Sequence, residues 1–576
     1  MDKKKSKQTK YIVVTGGVLS GIGKGITAAS LGALLNCVKD KITVQKLEPY
    51  FNVDSGTLNP REHGECFVTA DGKETDLDLG HYERFIGRSL DKNCVMLSGG
   101  LYEEMLQRER NGFYEGKNVQ LVPHLTNLIQ EKILEASKDS DVHIMEIGGT
   151  VGDYEALGYI EAVRELANKV GRDNVLFVHV AFVPFLKVSQ EFKTKPLQNS
   201  VRDLREYGIV PDIIVARCEE VPRNNYIERK TAPFVGVAEE QIIVLPNADT
   251  IYRVPTTLWE KNVHEYILNK FGFKWDKKEV AKKMKERWGK VLQMIETSRK
   301  SPEVKIGVIA KYLDNMDSYY SVVESLKIAS GFAKSKLNLV WIDAEKLEKM
   351  TLSEVKKTLD EVQGILVPGG FGSRGIEGKI MAATYALENN KPYMGICLGL
   401  QVAVIAAARR AGVKGANSEE FDKAARSKDR NVVYIMNDQV GKENTGGTMR
   451  LGTYTCYIEK NTLAEQTFAQ QMKEKKQTGF IEERHRHRYE VNQKFAKEIE
   501  KGGVKFSGFS KDKKLVELVE RADSDKKDAA FFLATQSHPE FLSRPWAAHP
   551  MFLEFVRETK LNTYAEVRGA RASGKE

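Results

Sequence analysis

The chain has 576 residues, of which 41% are hydrophobic and 29% charged, with a formal net charge of +9; this is too long for one core, so about two to four domains are expected, and the composition excludes a disordered chain. No apolar run approaches the roughly 20 residues of a membrane helix, and the start, Met1-Asp-Lys-Lys-Lys-Ser-Lys, lacks the apolar core of a secretion signal, which points to the cytosol. Six cysteines without a C-x-x-C pair argue against a zinc site or a disulfide framework, and the basic balance comes without an RNA- or DNA-binding signature, so no nucleic-acid partner is expected.

The first element is Tyr11-Ile-Val-Val-Thr-Gly-Gly-Val-Leu-Ser-Gly-Ile-Gly-Lys-Gly25, a buried-strand pattern running into a glycine-rich turn with one lysine. Gly16, Gly17, Gly21 and Gly23 let backbone N–H groups turn around an anion, Lys24 adds a point charge, and the alanine-rich stretch 26–35 supplies a helix N-terminus. The strict phosphate-loop spacing is not met. Gly17 stands six residues before Gly23 where the motif has five, and Gly25 replaces the hydroxyl residue that would meet Mg²⁺. A strand-to-helix turn without a nucleotide is the other reading.

Short β-branched runs recur at 42–46, 142–147, 175–183, 213–217 and 242–245, separated by helical lengths. That rhythm predicts a parallel sheet wrapped by helices, with ligands gathered past the strand ends. Past two of those ends lie Leu47-Glu-Pro-Tyr-Phe-Asn-Val-Asp54 and Gly148-Gly-Thr-Val-Gly-Asp153. Between them, Asp76 and Asp78 alternate with leucines and are expected to share one side of an extended segment. With Glu146 they would offer hard oxygens to Mg²⁺; the alternative is a solvated acidic loop. Farther on, Lys193, Lys195 and Gln198 suit a second anion and a base edge, or a plain solvated loop. Spacing does not say whether Arg217 and Lys230 converge.

The lysine-rich stretch 262–302 has a helical pattern and reads as an interdomain connection, after which a second strand rhythm opens at 304–310 and continues through 339–343 and 364–368. Its centre is Pro392-Tyr-Met-Gly-Ile-Cys-Leu-Gly-Leu-Gln401, where Cys397 sits between Gly395 and Gly399. Small neighbours permit the tight turn of a nucleophile elbow, and a following helix N-terminus favours a thiolate; a buried inert cysteine is the alternative. Downstream, Thr535-Gln-Ser-His-Pro-Glu-Phe541 supplies His538 to take the proton and Glu540 to orient the ring. Val367-Pro-Gly-Gly-Phe-Gly372 offers backbone donors for an oxyanion, with the Gly370 and Leu398 N–H groups as the expected pair. The run Glu483-Arg-His-Arg-His-Arg-Tyr-Glu490 is too crowded with arginine for a metal site.

The motifs V-T-G-G-V-x-S-x-x-G-K-G, K-L-E-P-Y-F-N-V-D, E-T-D-L-D-L-G-H-Y-E-R-F, E-I-G-G-T-V-G-D and K-T-K-P-x-Q resemble the CTP synthase family, and P-G-G-F-G, G-I-C-L-G-x-Q and H-P-E-F resemble a triad-type glutamine amidotransferase. The resemblance implies two doubly wound α/β domains: a phosphate-loop-like amidoligase over 11–272 and a flavodoxin-like class I amidotransferase over 303–561. A linker over 273–302 joins them, with a basic tail at 1–10 and a polar tail at 562–576 expected to be disordered. It implies an ATP-dependent amination of UTP to CTP with glutamine as nitrogen donor, activated by GTP and inhibited by CTP, in a homotetramer able to stack into filaments. By the same resemblance Ser20, Gly21, Ile22, Gly23, Lys24, Gly25, Lys46 and Asp78 would bind ATP, and Asp78 and Glu146 would hold Mg²⁺. Ser20, Asp153, Glu155, Lys193, Lys195, Gln198 and Lys230 would bind UTP or CTP, and Gly370, Leu398, Gln401, Glu420 and Arg488 would bind glutamine. Another glutamine-dependent ligase, a partitioning-type ATPase and an assembly-forming structural protein are the rival readings. The partitioning-type ATPase has no need of Cys397, His538 and Glu540, and abolished turnover with intact polymers would mark the structural protein.

Overall fold

A computed structural model describes residues 8–422, 430–442, 447–526 and 528–572, which divide into two compact units, one formed by 8–55 with 78–292 and one by 56–77 with the described residues from 293 onward. Among the described residues no helix is long and apolar enough to cross a membrane.

The first unit is built on seven strands, β1 (Lys10–Gly17), β2 (Ile42–Glu48), β3 (Val95–Leu97), β4 (Val142–Ile147), β5 (Val175–Phe182), β6 (Ile213–Cys218) and β7 (Ile242–Pro246). Their order is β7-β6-β5-β1-β4-β2-β3 and every pairing is parallel. Near-continuous apolar runs such as Ile12, Val13 and Val14, all fully buried, are what a sheet covered on both faces requires. The register sets Lys46 of β2 directly beside Glu146 of β4, and Val14 beside the same glutamate. A chain that passes from β1 through the glycine turn into helix α1 (Lys24–Leu35) therefore meets an acid and a lysine at the same sheet edge.

The segment expected to be extended around Asp78 is helical instead: α2 runs Asp78–Ile86. Leu79, Tyr82, Phe85 and Ile86 are all buried, the spacing of one helix face, and it overrides the short Asp-Leu alternation. Asp76 lies outside that helix, which begins at Asp78. Trp288, within the lysine-rich connection, is fully buried against Phe85 and Tyr252, which anchors that connection on the first unit.

The second unit has a nine-stranded sheet: β8 (Glu303–Ala310), β9 (Lys336–Asp343), β10 (Gly364–Val367), β11 (Tyr393–Ile396), β12 (Arg450–Ile458), β13 (Phe480–His487), β14 (Val504–Phe509), β15 (Val516–Arg521) and β16 (Phe532–Thr535), in the order β9-β8-β10-β11-β16-β15-β14-β12-β13. The first five are parallel in the flavodoxin-like order, and the remainder continue as an antiparallel extension. Hairpin strands 67–68 and 74–75 belong to this unit, where Phe67 lies 4.7 Å from Phe541 and the Val68 carbonyl accepts from Arg484 at 2.9 Å. The C-terminal helix runs Pro550–Ala572, so the stretch from 562 expected to be a disordered tail is helical as far as 572.

Candidate active site

Two clusters of functional side chains stand at strand ends, one in each unit. In the first, the glycine turn after β1 takes left-handed backbone at Gly21 (φ 72) and Gly23 (φ 91), where glycine is the residue that adopts it freely. Arg217 donates to the Ile22 carbonyl at 3.0 Å and to Asn247 Oδ1 at 2.9 Å, so this cation does converge on the loop and pins its outer edge. Lys24 is buried and donates to the Gly149 carbonyl at 2.5 Å. Burial lowers its pKa and Glu146 opposes that shift.

Lys46 Nζ lies 2.6 Å from Asp78 Oδ2 and 2.6 Å from Glu146 Oε2, with Glu48 at 3.7 Å. Tyr82 OH donates to Glu146 Oε2 at 2.7 Å. Burial tends to raise the Asp78 carboxyl, but Lys46, His81 and Lys24 together hold it below the ordinary range. Glu48 goes the other way, pushed up to about 7 by burial, against the pull of Lys46 and helped by the like charge of Glu146. Three carboxylates thus face two ammonium groups. That excess, with two hard-oxygen donors brought together by one lysine, fits Mg²⁺, which takes one or two carboxylates and completes its shell from phosphate and water. Among the described residues no three His, Cys, Asp or Glu side chains form a complete protein-only metal set. The glycine at 25 now has a physical reason: a Cβ there would stand 2.1 Å from Asp78 Oδ1, so the aspartate occupies the space that the hydroxyl residue of the strict motif would fill.

The residues expected around the pyrimidine nucleotide fall into separate groups. Asp153 accepts from Thr150 N at 2.7 Å and Thr150 Oγ1 at 2.6 Å, closing an exposed turn that Glu155 follows. Lys193 pairs with Glu191, whose carboxyl is held low by that hydrogen bond and also feels Lys230. Lys230 donates to Tyr226 OH at 2.7 Å. Lys195 begins helix α3 (Lys195–Glu206) and lies 5.0 Å from the Phe234 ring centre. Gln198 Oε1 is buried with no hydrogen-bond partner among the described residues, while its amide donates to Thr194 at 3.1 Å. Ser200 of the same helix abuts the phosphate turn so closely that a Cβ on Gly17 would overlap its hydroxyl, and His179 Nε2 holds that hydroxyl at 2.7 Å.

In the second unit β11 passes into helix α4 (Leu398–Arg410) through Cys397 at φ 52, ψ −101. A non-glycine residue held there stores of order 1–3 kcal/mol of strain. The neighbours are small for steric reasons: a Cβ on Gly395 would come within 2.7 Å of Gly399, and one on Gly399 within 2.2 Å of the Val367 carbonyl oxygen. Register places Ile396 beside Thr535, so the elbow and the strand leading to His538 end together. His538 Nδ1 lies 2.7 Å from Glu540 Oε1. Burial lowers the imidazole pKa, but Glu540 and then Cys397 outweigh it and raise it to about 10. Gln536 donates to the Cys397 sulfur at 3.6 Å, and Gln401 reaches Gln536 Oε1 at 3.3 Å.

Gly370 lies beside Leu398, since a Cβ on it would be 3.6 Å from the leucine side chain. Glu420 Oε1 accepts from Gly372 N at 2.6 Å, and Arg488 donates to Thr448 at 2.7 Å and Gln439 at 3.1 Å. A cavity of about 80 Å³ opens beside His538, bounded by Gly370, Phe371 and Arg486 and, from the 56–77 segment, by Pro60, Glu65 and Cys66. Glu74 of the same segment lies 2.7 Å from Arg486 Nε. Sequence reasoning gave no role to Glu48, Gln536, Lys311 or Lys379 and did not foresee that 56–77 packs in the second unit. Glu48 and Glu74 lay in stretches it singled out, and Gln536 stands two residues before His538.

Comparison with known proteins follows this division. The family model described as CTP synthase N-terminus matches residues 10–273, and that described as glutamine amidotransferase class-I matches 314–558. Curated relatives named CTP synthase include one from Carboxydothermus hydrogenoformans, 46% identical over 95% of this chain and 98% of the relative. Another, from Caldanaerobacter subterraneus subsp. tengcongensis, is 45% identical over 95% and 98%. Among solved structures, the glutaminase domain of Trypanosoma brucei CTPS with bound acivicin is 37% identical, covering 45% of this chain and 94% of that one with a TM-score of 0.40. With two family models meeting the two strand-end clusters and near full-length relatives above 40% identity, the chain belongs to the CTP synthase family of glutamine-hydrolysing ligases.

Proposed function

We propose that the chain aminates UTP at C4 with ATP, drawing ammonia from glutamine opened at Cys397. The observation that carries this reading is the strained Cys397 beside the His538–Glu540 pair, in one chain with buried Lys24, Lys46 and Glu146 clustered with Asp78 at a glycine turn. His538, raised to about 10, stands as imidazolium at neutral pH and sets a positive charge beside the Cys397 sulfur. The thiolate attacks the glutamine amide, the Gly370 and Leu398 N–H groups take the oxyanion, and His538 delivers a proton to the departing ammonia. Water then hydrolyses the thioester to glutamate. Gln401, Glu420 and Arg488 bind the amino acid.

At the other site Ser20 to Gly25 and Lys46 bind ATP, with Asp78 and Glu146 as the residues that would hold Mg²⁺. The ion supplies positive charge to the phosphates. Oxygen is a poor leaving group at uracil C4, so phosphorylation of O4 by ATP precedes displacement of phosphate by ammonia. Ser20, Lys193, Lys195, Gln198 and Lys230 hold the UTP, and Asp153 and Glu155 mark the end that accepts CTP as inhibitor. Ammonia in neutral water is protonated and loses its lone pair, which favours a sheltered route; the cavity beside His538 is large enough for so small a molecule. Activation by GTP, a cytoplasmic location and a filament-forming tetramer complete the reading, on the strength of family membership.

The test is to follow UTP-to-CTP absorbance with Cys397→Ala. Glutamine-dependent synthesis should be lost and ammonium-dependent synthesis kept. Glutamine-dependent synthesis that survives the substitution overturns the reading.

A further inference from the structure

The Pro368–Gly372 loop beside the thiol is held from below by two lysines, neither of which the reaction above uses. Lys379, from the helix Ile376–Glu388, is fully buried and donates from Nζ to the Pro368 carbonyl at 3.2 Å. Lys311, at the end of β8, is 5% exposed and donates to the Phe371 carbonyl and, at 3.3 Å, to that of Gly372.

In a trans peptide the carbonyl and the N–H point in opposite directions. A carbonyl tied to a buried lysine therefore fixes where the adjoining N–H goes. At the far end of the loop both halves of one peptide are held, the Phe371 carbonyl by Lys311 and the Gly372 N–H by Glu420 at 2.6 Å. At the near end Lys379 holds the Pro368–Gly369 peptide. Gly369 borders the triad, because a Cβ there would be 3.0 Å from His538 Cε1 and 3.6 Å from Cys397 Cβ. Between the two clamped peptides run Gly369, Gly370 and Phe371, and the two glycines have no side chain to restrict their torsions. Without a clamp, this backbone has alternatives that turn the Gly370 N–H away from the sulfur.

Burying an ammonium is costly. Burial accordingly drives the Lys379 pKa well below normal, and no carboxylate is paired with it among the described residues. A methionine of similar length would suit its surroundings, helix 376–388 and the packed layer beneath the sheet, at least as well. Packing does not account for a lysine at this position, whereas a donor aimed at the Pro368 carbonyl does.

We infer that Lys379 is a positioning residue for glutamine hydrolysis, clamping the Pro368 carbonyl so that the Gly369–Gly370 backbone presents its N–H groups to the developing oxyanion. The inference rests on Cys397 being the glutamine-opening nucleophile. Its test is Lys379→Met in the full-length enzyme, with three readouts: glutamine kcat and KM, alkylation of Cys397 by iodoacetamide, and ammonium-dependent product formation. Alkylation displaces iodide from a saturated carbon and creates no oxyanion, so it reports the thiol and His538 without the loop.

The expected result is a kcat for glutamine reduced about 10- to 100-fold, with KM, alkylation rate and ammonium-dependent activity within about twofold of the parent. Unchanged kcat overturns the inference. So does a rise in KM at constant kcat, or a parallel fall in alkylation, since these assign Lys379 to glutamine binding or to the integrity of the elbow. If the parent enzyme itself hydrolyses no glutamine, it is the functional reading that fails.

Discussion

At the phosphate turn the charged side chains hold one another: Lys46 sits 2.6 Å from both Asp78 and Glu146, and Lys24, which donates to the Gly149 carbonyl, feels the same carboxylates. At the thiol the backbone does the holding, through a strained elbow, two clashing glycine positions and carbonyls tied to buried lysines. The first arrangement suits a site where incoming phosphates and a cation rearrange the ion pairs. The second suits a site where the donors must already stand in place when charge develops, because preorganised dipoles need no reorganisation in the transition state. The comparison implies that substitutions at the thiol site act on kcat, and that those at the phosphate site act on substrate affinity and on pH dependence as well.

The largest effect is expected from Glu540→Gln. It removes the leading influence that raises His538 to about 10, and glutamine-dependent turnover should fall about 10³-fold with ammonium-dependent turnover intact. The same change has a stability signature. A histidine raised from 6.5 to about 10 contributes stability that is complete below 6.5 and lost as pH rises through about 10. Thermal melts of the parent should show this alkaline loss, and Glu540→Gln should show less of it. Lys46→Gln comes next: ammonium-dependent CTP formation should fall about 100-fold while Cys397 alkylation is unchanged.

Gly25→Ser would give the turn the hydroxyl of the strict motif and place its Cβ 2.1 Å from Asp78 Oδ1. Displacing that carboxylate should raise the KM for ATP with Mg²⁺ about tenfold; an unchanged KM would show that Asp78 yields freely. The smallest effect is at Glu48. Raised from 4.5 to about 7, it contributes stability that is full below 4.5 and lost as pH rises through about 7. Glu48→Gln should remove that loss and narrow the Tm difference between weakly acidic and weakly alkaline buffer by about 2–4 °C.

Much of both clusters was legible in the sequence because strand-end chemistry leaves a linear trace. The β-branched runs located β2 and β4, and parallel pairing then puts Lys46 beside Glu146. The elbow announced itself through Gly395 and Gly399, and the residues after β16 through T-Q-S-H-P-E. The Asp78 segment was misread because a two-residue alternation is weak beside four apolar side chains at helical spacing, Leu79, Tyr82, Phe85 and Ile86. Gly25 looked like a departure because its reason is a carboxylate from another element. The antiparallel strands were hidden since β13 reads as a charged run, and Arg484, His485 and His487 are buried there with partners such as the Val68 carbonyl and Glu517 that lie far off in the chain, which no local pattern reveals. Lys379 and Lys311 were invisible for the same reason: a lysine on an apolar helix or at a strand end looks solvated until the carbonyl it meets is known.

The central claim is that nitrogen released at Cys397 is consumed at C4 of the pyrimidine. The most direct test supplies glutamine labelled with ¹⁵N in its amide together with excess unlabelled ammonium, and reads the isotope in the CTP formed. The account predicts CTP enriched in ¹⁵N well above the ammonium pool, whereas CTP carrying the pool's own isotope ratio would contradict it.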